Sequence, residues 1–273
     1  MMETDIFGVI FCTFILIYAC YSDINKRSVT NKLWLLMIAV GIPIAIYNIF
    51  IYGTSFLIRF IFSLLFTFAL SYLFFRLNLF GGADAKCLIA ISVLIPLQPG
   101  FTFLSYHFPI NFNSSLIIEP LSLPFAITTL FNAAIVSLIV PPSTFFYNFL
   151  NLSRGEIREN LSYAFIGYKL RIDALTDAKQ KHIRLLHSYE EEEEWGQSGL
   201  KRKIVLGGVE IDTKVVERLK NYHAQGKLGE EVWVTSELPF MLFITAGFFS
   251  SIFYGNLILN ILYFVFVFVF VIL

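Results

Sequence analysis

Apolar residues in this chain fall in long unbroken blocks, not in the one-sided stripes of surface helices. The blocks run from about Ile6 to Tyr21, Leu33 to Ile51, Phe56 to Phe80, Ala85 to Leu104, Leu121 to Leu150 and Leu238 to Leu273. A helix advances ~1.5 Å per residue, so ~20 apolar residues cross a bilayer core of ~30 Å. The pattern predicts an all-α polytopic membrane protein with six transmembrane helices. Pro96 and Pro99 interrupt the fourth block. The last block is too long for one span, and Tyr254-Gly255-Asn256 offers a break that leaves room for an extra C-terminal apolar helix.

Between 151 and 237 the pattern changes to that of a small soluble α+β insertion. Ile157 to Leu175 reads as an amphipathic stretch lying on a surface. Thr176 is placed to cap a helix running to His187, and the acidic run Glu190 to Glu194 reads as solvated and mobile. Lys203 to Ile211 suggests a hairpin turning at Gly207-Gly208. Asp212 is placed to cap a helix through Tyr222 that Gly226 ends, and Glu231 to Thr235 alternates like a short strand. The expected division is therefore residues 1–150 with five transmembrane helices, 151–237 as the insertion, and 238–273 as the final span and an apolar tail.

Composition narrows the function classes. Hydrophobic residues make up 57% of the 273 and charged residues 15%, against about 25% charged in soluble domains. A soluble enzyme is excluded, and membrane lipid is the expected surrounding. Net charge is zero, so no nucleic-acid partner is expected. Cys12, Cys20 and Cys87 lie in or at the ends of apolar blocks without any C-x-x-C pair, which signals neither a zinc site nor a disulfide framework. Glu3 and Asp5 flank the first block, the wrong charge for a removable signal peptide.

Basic residues set the orientation. Lys26, Arg27 and Lys32 lie between the first two blocks, Arg76 and Lys86 around the turn between the third and fourth, and 14 of the 20 Lys and Arg within 151–237. None precedes the first block or falls between Gly100 and Pro120. By the positive-inside rule the N-terminus is expected outside, with the first loop, the turn near 81 and the insertion cytoplasmic.

Few acids remain outside the insertion. Glu3, Asp5 and Glu119 fall on the outer side, which leaves Asp23 at the end of the first block and Asp84 at the start of the fourth. Both belong at the cytoplasmic face, at similar depth. Ionisable groups at the edge of lipid are costly and so mark function by default, although an Asp at a helix start also serves simply as a cap. Two carboxylates at one face suit aspartic-protease chemistry. Repulsion lets the pair share one proton, the ionised partner deprotonates a water, and the protonated partner polarises the scissile carbonyl. No metal or other cofactor is called for. The rival from the same residues is a transporter that uses the two acids as a proton or cation relay.

The surrounding residues favour proteolysis. Asp23-Ile24-Asn25-Lys26-Arg27-Ser28-Val29-Thr30-Asn31 before one apolar block, and Gly81-Gly82-Ala83-Asp84-Ala85-Lys86 opening another, resemble the archaeal preflagellin peptidases, which are GxGD intramembrane aspartyl proteases related to type IV prepilin peptidases. Ala83 stands where a strict GxGD motif has glycine. The resemblance implies a catalytic pair of Asp23 and Asp84, a site shaped by Gly81, Gly82, Ala83 and Lys86, and Pro239 and Phe240 near the entrance to the last span. It also implies partners that are preflagellin or pilin-like precursors, cut behind a short basic leader at the cytoplasmic face. Bacterial relatives that also methylate their product carry paired zinc cysteines; their absence here leads us to expect peptidase activity alone.

Overall fold

A computed structural model of the chain describes residues 2–77, 79–103, 105–110, 123–177, 182–194 and 197–272. Most of the polar loop expected on the outer side, including Asn113 and Glu119, lies outside the described residues. The protein is mostly helical with a small sheet. It packs as two compact units, Met1–Ser137 with Pro239–Leu273, and Leu138–Leu238.

In the first unit, α1 (Met2–Lys26) buries Cys12, Ile15, Leu16 and Ala19. That spacing is one helical face. Phe7, Ile10, Phe14, Ile17 and Tyr21 on the remaining surface are exposed, as lipid contact requires. The second and third blocks are joined in α2 (Asn31–Arg76), 46 residues long and interrupted at Gly53, whose φ of 67° is left-handed. Only glycine adopts that conformation without steric cost, so the chain breaks there. In the second half of α2, Ser63, Thr67 and Ser71 recur every four residues and are buried, while Ile58, Phe62 and Leu65 are exposed.

The fourth block is helical over a shorter range than expected. The helix α3 (Gly82–Leu94) has 13 residues, about 20 Å at ~1.5 Å per residue. Pro96 accounts for its end: the residue before a proline is steered away from helical angles, and Ile95 has φ −132° and ψ 80°. The chain then forms a short ribbon of β1 (Phe101–Phe103) and β2 (Tyr106–Phe108). Nine residues of α3 are buried, on all its sides. Cys87, Ala90, Ile91 and Leu94 form the centre of a core shared with α1, with Trp34 and Met37 of α2, with Phe125 and Ala126 of α4 (Phe125–Ser137), and with Met241, Ile244 and Phe248 of α9 (Phe240–Tyr254).

Tyr254-Gly255-Asn256 does break the last block. After it α10 (Leu257–Ile272) leaves α9 at an angle of 56°. Buried Asn132 of α4 holds this break, donating from Nδ2 to Ser251 Oγ (2.9 Å) and the Gly255 carbonyl (2.7 Å) and accepting the Leu257 amide (3.0 Å). By length and composition three helical stretches among the described residues are able to cross a membrane, α1, α2 and Phe125–Asn151, or four when the bent α9–α10 pair is taken as one.

The second unit begins with α5 (Val140–Asn151), α6 (Arg154–Glu159) and α7 (Leu161–Ile166). Its antiparallel sheet has the order β3 (Tyr168–Arg171), β6 (Glu231–Ser236), β4 (Ile183–Glu194), β5 (Gln197–Glu210). On β6, Val232 and Val234 enter one apolar cluster with Val216 and Leu219 of α8 (Thr213–Ala224), while Trp233 points to the other face with Leu186 and Ala164. The expected cap and strand both appear here: Asp212 Oδ1 accepts the Val215 amide at 2.7 Å to start α8, and β6 contains Glu231 to Thr235.

Three expectations for this unit are corrected. The stretch to His187 is a 3-10 turn (Ile172–Asp177) followed by β4 instead of a helix from Thr176. Residues 203–211 do not fold into their own hairpin: Gly207 and Gly208 lie within β5, next to an irregularity in its pairing with β4 at Leu185 and His187. The acidic run forms the far half of β4. Lys201 lies directly across from Glu190, and Lys227 reaches Glu191 at 3.3 Å. Cross-strand charge pairing and ladder hydrogen bonds together support a strand that five consecutive acids would oppose alone.

Lys169 Nζ donates to Glu156 at 2.6 Å, and with Ser153 this holds the Glu156 carboxyl down to about 2. His187 is 4% exposed, and its Nδ1 has no hydrogen-bond partner among the described residues. Burial, then the charge of Arg202, pushes its pKa below the ordinary histidine value.

Two outcomes are expected. Replacing Asn132 by Leu removes three hydrogen bonds; at ~0.6 kcal/mol each within a bilayer the loss is about 2 kcal/mol, measurable as reduced thermal stability in detergent. A histidine with a depressed folded-state value destabilises the fold when protonated, so its contribution is complete above the unfolded-state pKa of ~6.5 and is lost as pH falls below it. Unfolding of the second unit should therefore show a pH dependence below ~6.5 that His187→Leu diminishes.

Candidate active site

The first unit brings the residues singled out in the sequence to one end of its helices. Asp84 occupies the first turn of α3 and is 8% exposed. Its Oδ2 accepts the amide of Gly81 at 3.0 Å, closing the first helical turn from the side-chain end. Free amides and the positive end of the helix dipole favour a carboxylate here.

Gly81 and Gly82 differ in what they contribute. A β-carbon on Gly81 would lie 3.0 Å from Asp84 Oδ2, whereas one on Gly82 would meet only the Phe75 ring at 3.7 Å. The first glycine makes room for the carboxylate, and the second is under no such demand. Ala83 is half-buried behind Asp84. Phe80, just before the glycines, packs its ring 5.0 Å from Phe74 and 5.3 Å from Phe240. Pro239 precedes α9 and its carbonyl accepts the Leu242 amide at 3.1 Å. Phe240 thus ties the start of α9 to the Gly81 turn. In the sequence Phe80 is only the end of the third apolar block; its position next to the glycines was the available signal.

Asp23 lies in the last turn of α1 and is half-buried. Its charge acts on Asp84, so the two carboxylates are within electrostatic reach although 61 positions separate them. Among the described residues no hydrogen bond joins them directly. Lys86 does not turn to Asp84; its Nζ donates to Asn31 Oδ1 at 2.9 Å. Among the described residues no group of three His, Cys, Asp or Glu side chains is placed to hold a metal ion.

The sequence matches the model of the type IV leader peptidase family over residues 10–150, and that of the archaeal peptidase A24 C-terminus, type II, over residues 159–257. The chain belongs to the type IV leader peptidase family. It is 26% identical over 253 residues to the preflagellin peptidase of Methanococcus voltae, covering 90% of this chain and 94% of that one. The preflagellin peptidase of Methanocaldococcus jannaschii is 26% identical over 248 residues, covering 90% and 93%. A prepilin peptidase of Methanothermobacter thermautotrophicus is 27% identical over 144 residues, 50% of this chain and 34% of that one. This is a membrane-protein peptidase that removes leader peptides, and an acid-coupled transporter is not favoured. The first family match contains both aspartates and every residue described around them except Pro239 and Phe240, which the second match contains.

The distinction between the two glycines of this peptidase is open to test. Gly81→Ala should displace the Asp84 carboxylate and lower leader cleavage about tenfold, the scale on which a shifted side chain at a site disturbs the reaction. Gly82→Ala should cost clearly less. Initial rates on one precursor, compared across the two variants, check this.

Proposed function

We propose that this peptidase removes the short basic leader from preflagellin or archaeal pilin-like precursors, with Asp23 and Asp84 as the catalytic pair. The observation that carries the reading is their placement: Asp23 in the last turn of α1 and buried Asp84 in the first turn of α3, within electrostatic reach of one another, the second fixed by the Gly81 amide. In this reading the ionised member accepts a proton from water as the water attacks the scissile carbonyl. The protonated member gives its proton to that carbonyl oxygen; the proton taken from water then passes to the leaving amine, and the first member recovers its own as the carbonyl re-forms. Neither member is assigned as acid or base before substrate binds.

The precursor's basic leader remains on the cytoplasmic side while its apolar helix enters lipid, which puts the cleaved bond at the membrane edge. In our reading six spans place the N-terminus outside and both aspartates at the cytoplasmic face, as the basic residues near 26–32 and 76–86 direct. Residues 151–237 are then cytoplasmic. The names of the full-length relatives supply the precursor class.

Purified protein in detergent should cleave a leader-bearing preflagellin, and Asp23→Asn and Asp84→Asn should each lower turnover by at least ~10³-fold, because each half of the acid–base work depends on the other. Turnover should persist in chelator. Cysteines introduced at Ser28 and Asn113 should be labelled from the cytoplasmic and outer sides, respectively. Near-normal cleavage by either Asn variant would remove the paired-aspartate mechanism.

A further inference from the structure

Lys86 follows Asp84 by two positions, and its side chain is exposed. It is nevertheless held: its ammonium donates to Asn31 Oδ1 at 2.9 Å across 55 positions of sequence. Asn31 is the first residue of α2 and ends the loop that follows Asp23. That loop is short and pinned. The Arg27 amide donates to the carbonyl of Asp23 itself at 3.0 Å, and Arg27 takes a left-handed φ of 50° that ends α1. Ser22 Oγ then donates to the Ser28 carbonyl at 2.8 Å, folding the loop back on the last turn of α1. At its other end the Leu33 amide donates to the Thr30 carbonyl at 3.2 Å.

These bonds form one connection. From Asp23 the chain passes through a loop fixed at both ends to Asn31, and from Asn31 through Lys86 to the first turn of α3, where Asp84 sits. We propose that Asn31 is a positioning residue: its hydrogen bond to Lys86 holds the start of α3 against the Asp23 loop and so sets the separation of the two carboxylates. The inference rests on the reading of Asp23 and Asp84 as the catalytic pair. Two like charges resist approach, and the Lys86–Asn31 bond opposes that resistance by holding α3 to the loop after α1. Because Asn31 is uncharged, its loss alters geometry, whereas loss of Lys86 alters geometry and charge together.

The test uses the full-length protein in detergent with a leader-bearing preflagellin. Asn31→Ala and Lys86→Met should each lower kcat about tenfold, as misplacement of a reacting group does, with KM changed less than about twofold because substrate contacts are intact. The double variant should be no slower than the slower single variant, since both remove the same bond. Asn31→Asp keeps an oxygen acceptor for Lys86 and should lose less than Asn31→Ala. A second readout is independent of turnover. With Cys12, Cys20 and Cys87 replaced by Ala and cysteines placed at 23 and 84, disulfide yield in the presence of precursor should fall several-fold when Asn31→Ala is added. Should Asn31→Ala not fold, Asn31→Gln, which moves the amide by one methylene, takes its place. Additive losses in the double variant, a loss confined to KM, or an unchanged 23–84 disulfide yield would overturn the positioning role. Cleavage that survives Asp23→Asn or Asp84→Asn would instead overturn the underlying paired-aspartate reading, whatever Asn31 does.

Discussion

Burying the Asp84 carboxyl at the end of an apolar core is the constraint from which much of the first unit follows. A carboxylate out of water is costly unless its oxygens find donors. Here one oxygen takes the Gly81 amide, and the first turn of α3 supplies the favourable end of a helix dipole. That arrangement favours glycine at position 81, where a β-carbon would crowd the carboxylate at 3.0 Å, a helix that begins right there, and packing that fixes the helix. The core supplies the packing through Cys87, Ala90, Ile91 and Leu94, all one to three turns below Asp84.

The short length of α3 fits the same constraint. Buried on all sides, it has no lipid face to satisfy, and so its sequence reads as a continuous apolar block. The longer helices around it carry the lipid-facing surface, as the exposed Phe7, Phe14, Phe50 and Phe264 illustrate. Polar groups within these helices face protein: Asn132 satisfies backbone groups freed at the α9–α10 break, where a bilayer offers no water to do so. The second unit is built by the ordinary rules of soluble sheets. Alternation on β6 divides Val232 and Val234 from Trp233, and charge pairing accommodates the acidic half of β4.

Function emerges where these two demands meet. The family identifies leader-peptide cleavage, and in the first unit Asp23 and Asp84 lie within electrostatic reach of one another. Asp23 is less buried than Asp84 and is followed by the polar and basic residues Asn25 and Lys26 that end α1, and by Arg27. The two acids therefore have different surroundings, the condition under which a carboxyl pair divides acid and base work. Phe240, packed on Phe80, ties the start of α9 to this turn within the first unit.

Block length, charge bias and a few motif residues were enough to establish from sequence a membrane-embedded helical protein, the two aspartates worth attention, the break at Gly255 and the cap at Asp212. Each depends on local chemistry: apolar length against bilayer thickness, a carboxylate at a helix start, a glycine between helical runs. Tertiary structure decided what depends on partners distant in sequence. Strand β4 was unreadable because Lys201 and Lys227 pair with Glu190 and Glu191 in its acidic half, and its His187 is buried against the Tyr163 ring. The different duties of Gly81 and Gly82 follow from where the Asp84 carboxyl turns back, and the partner of Lys86 from how α2 and α3 pack. Sequence spacing carries no distance between residues 23 and 84, or between 31 and 86; only the packed helices supply it.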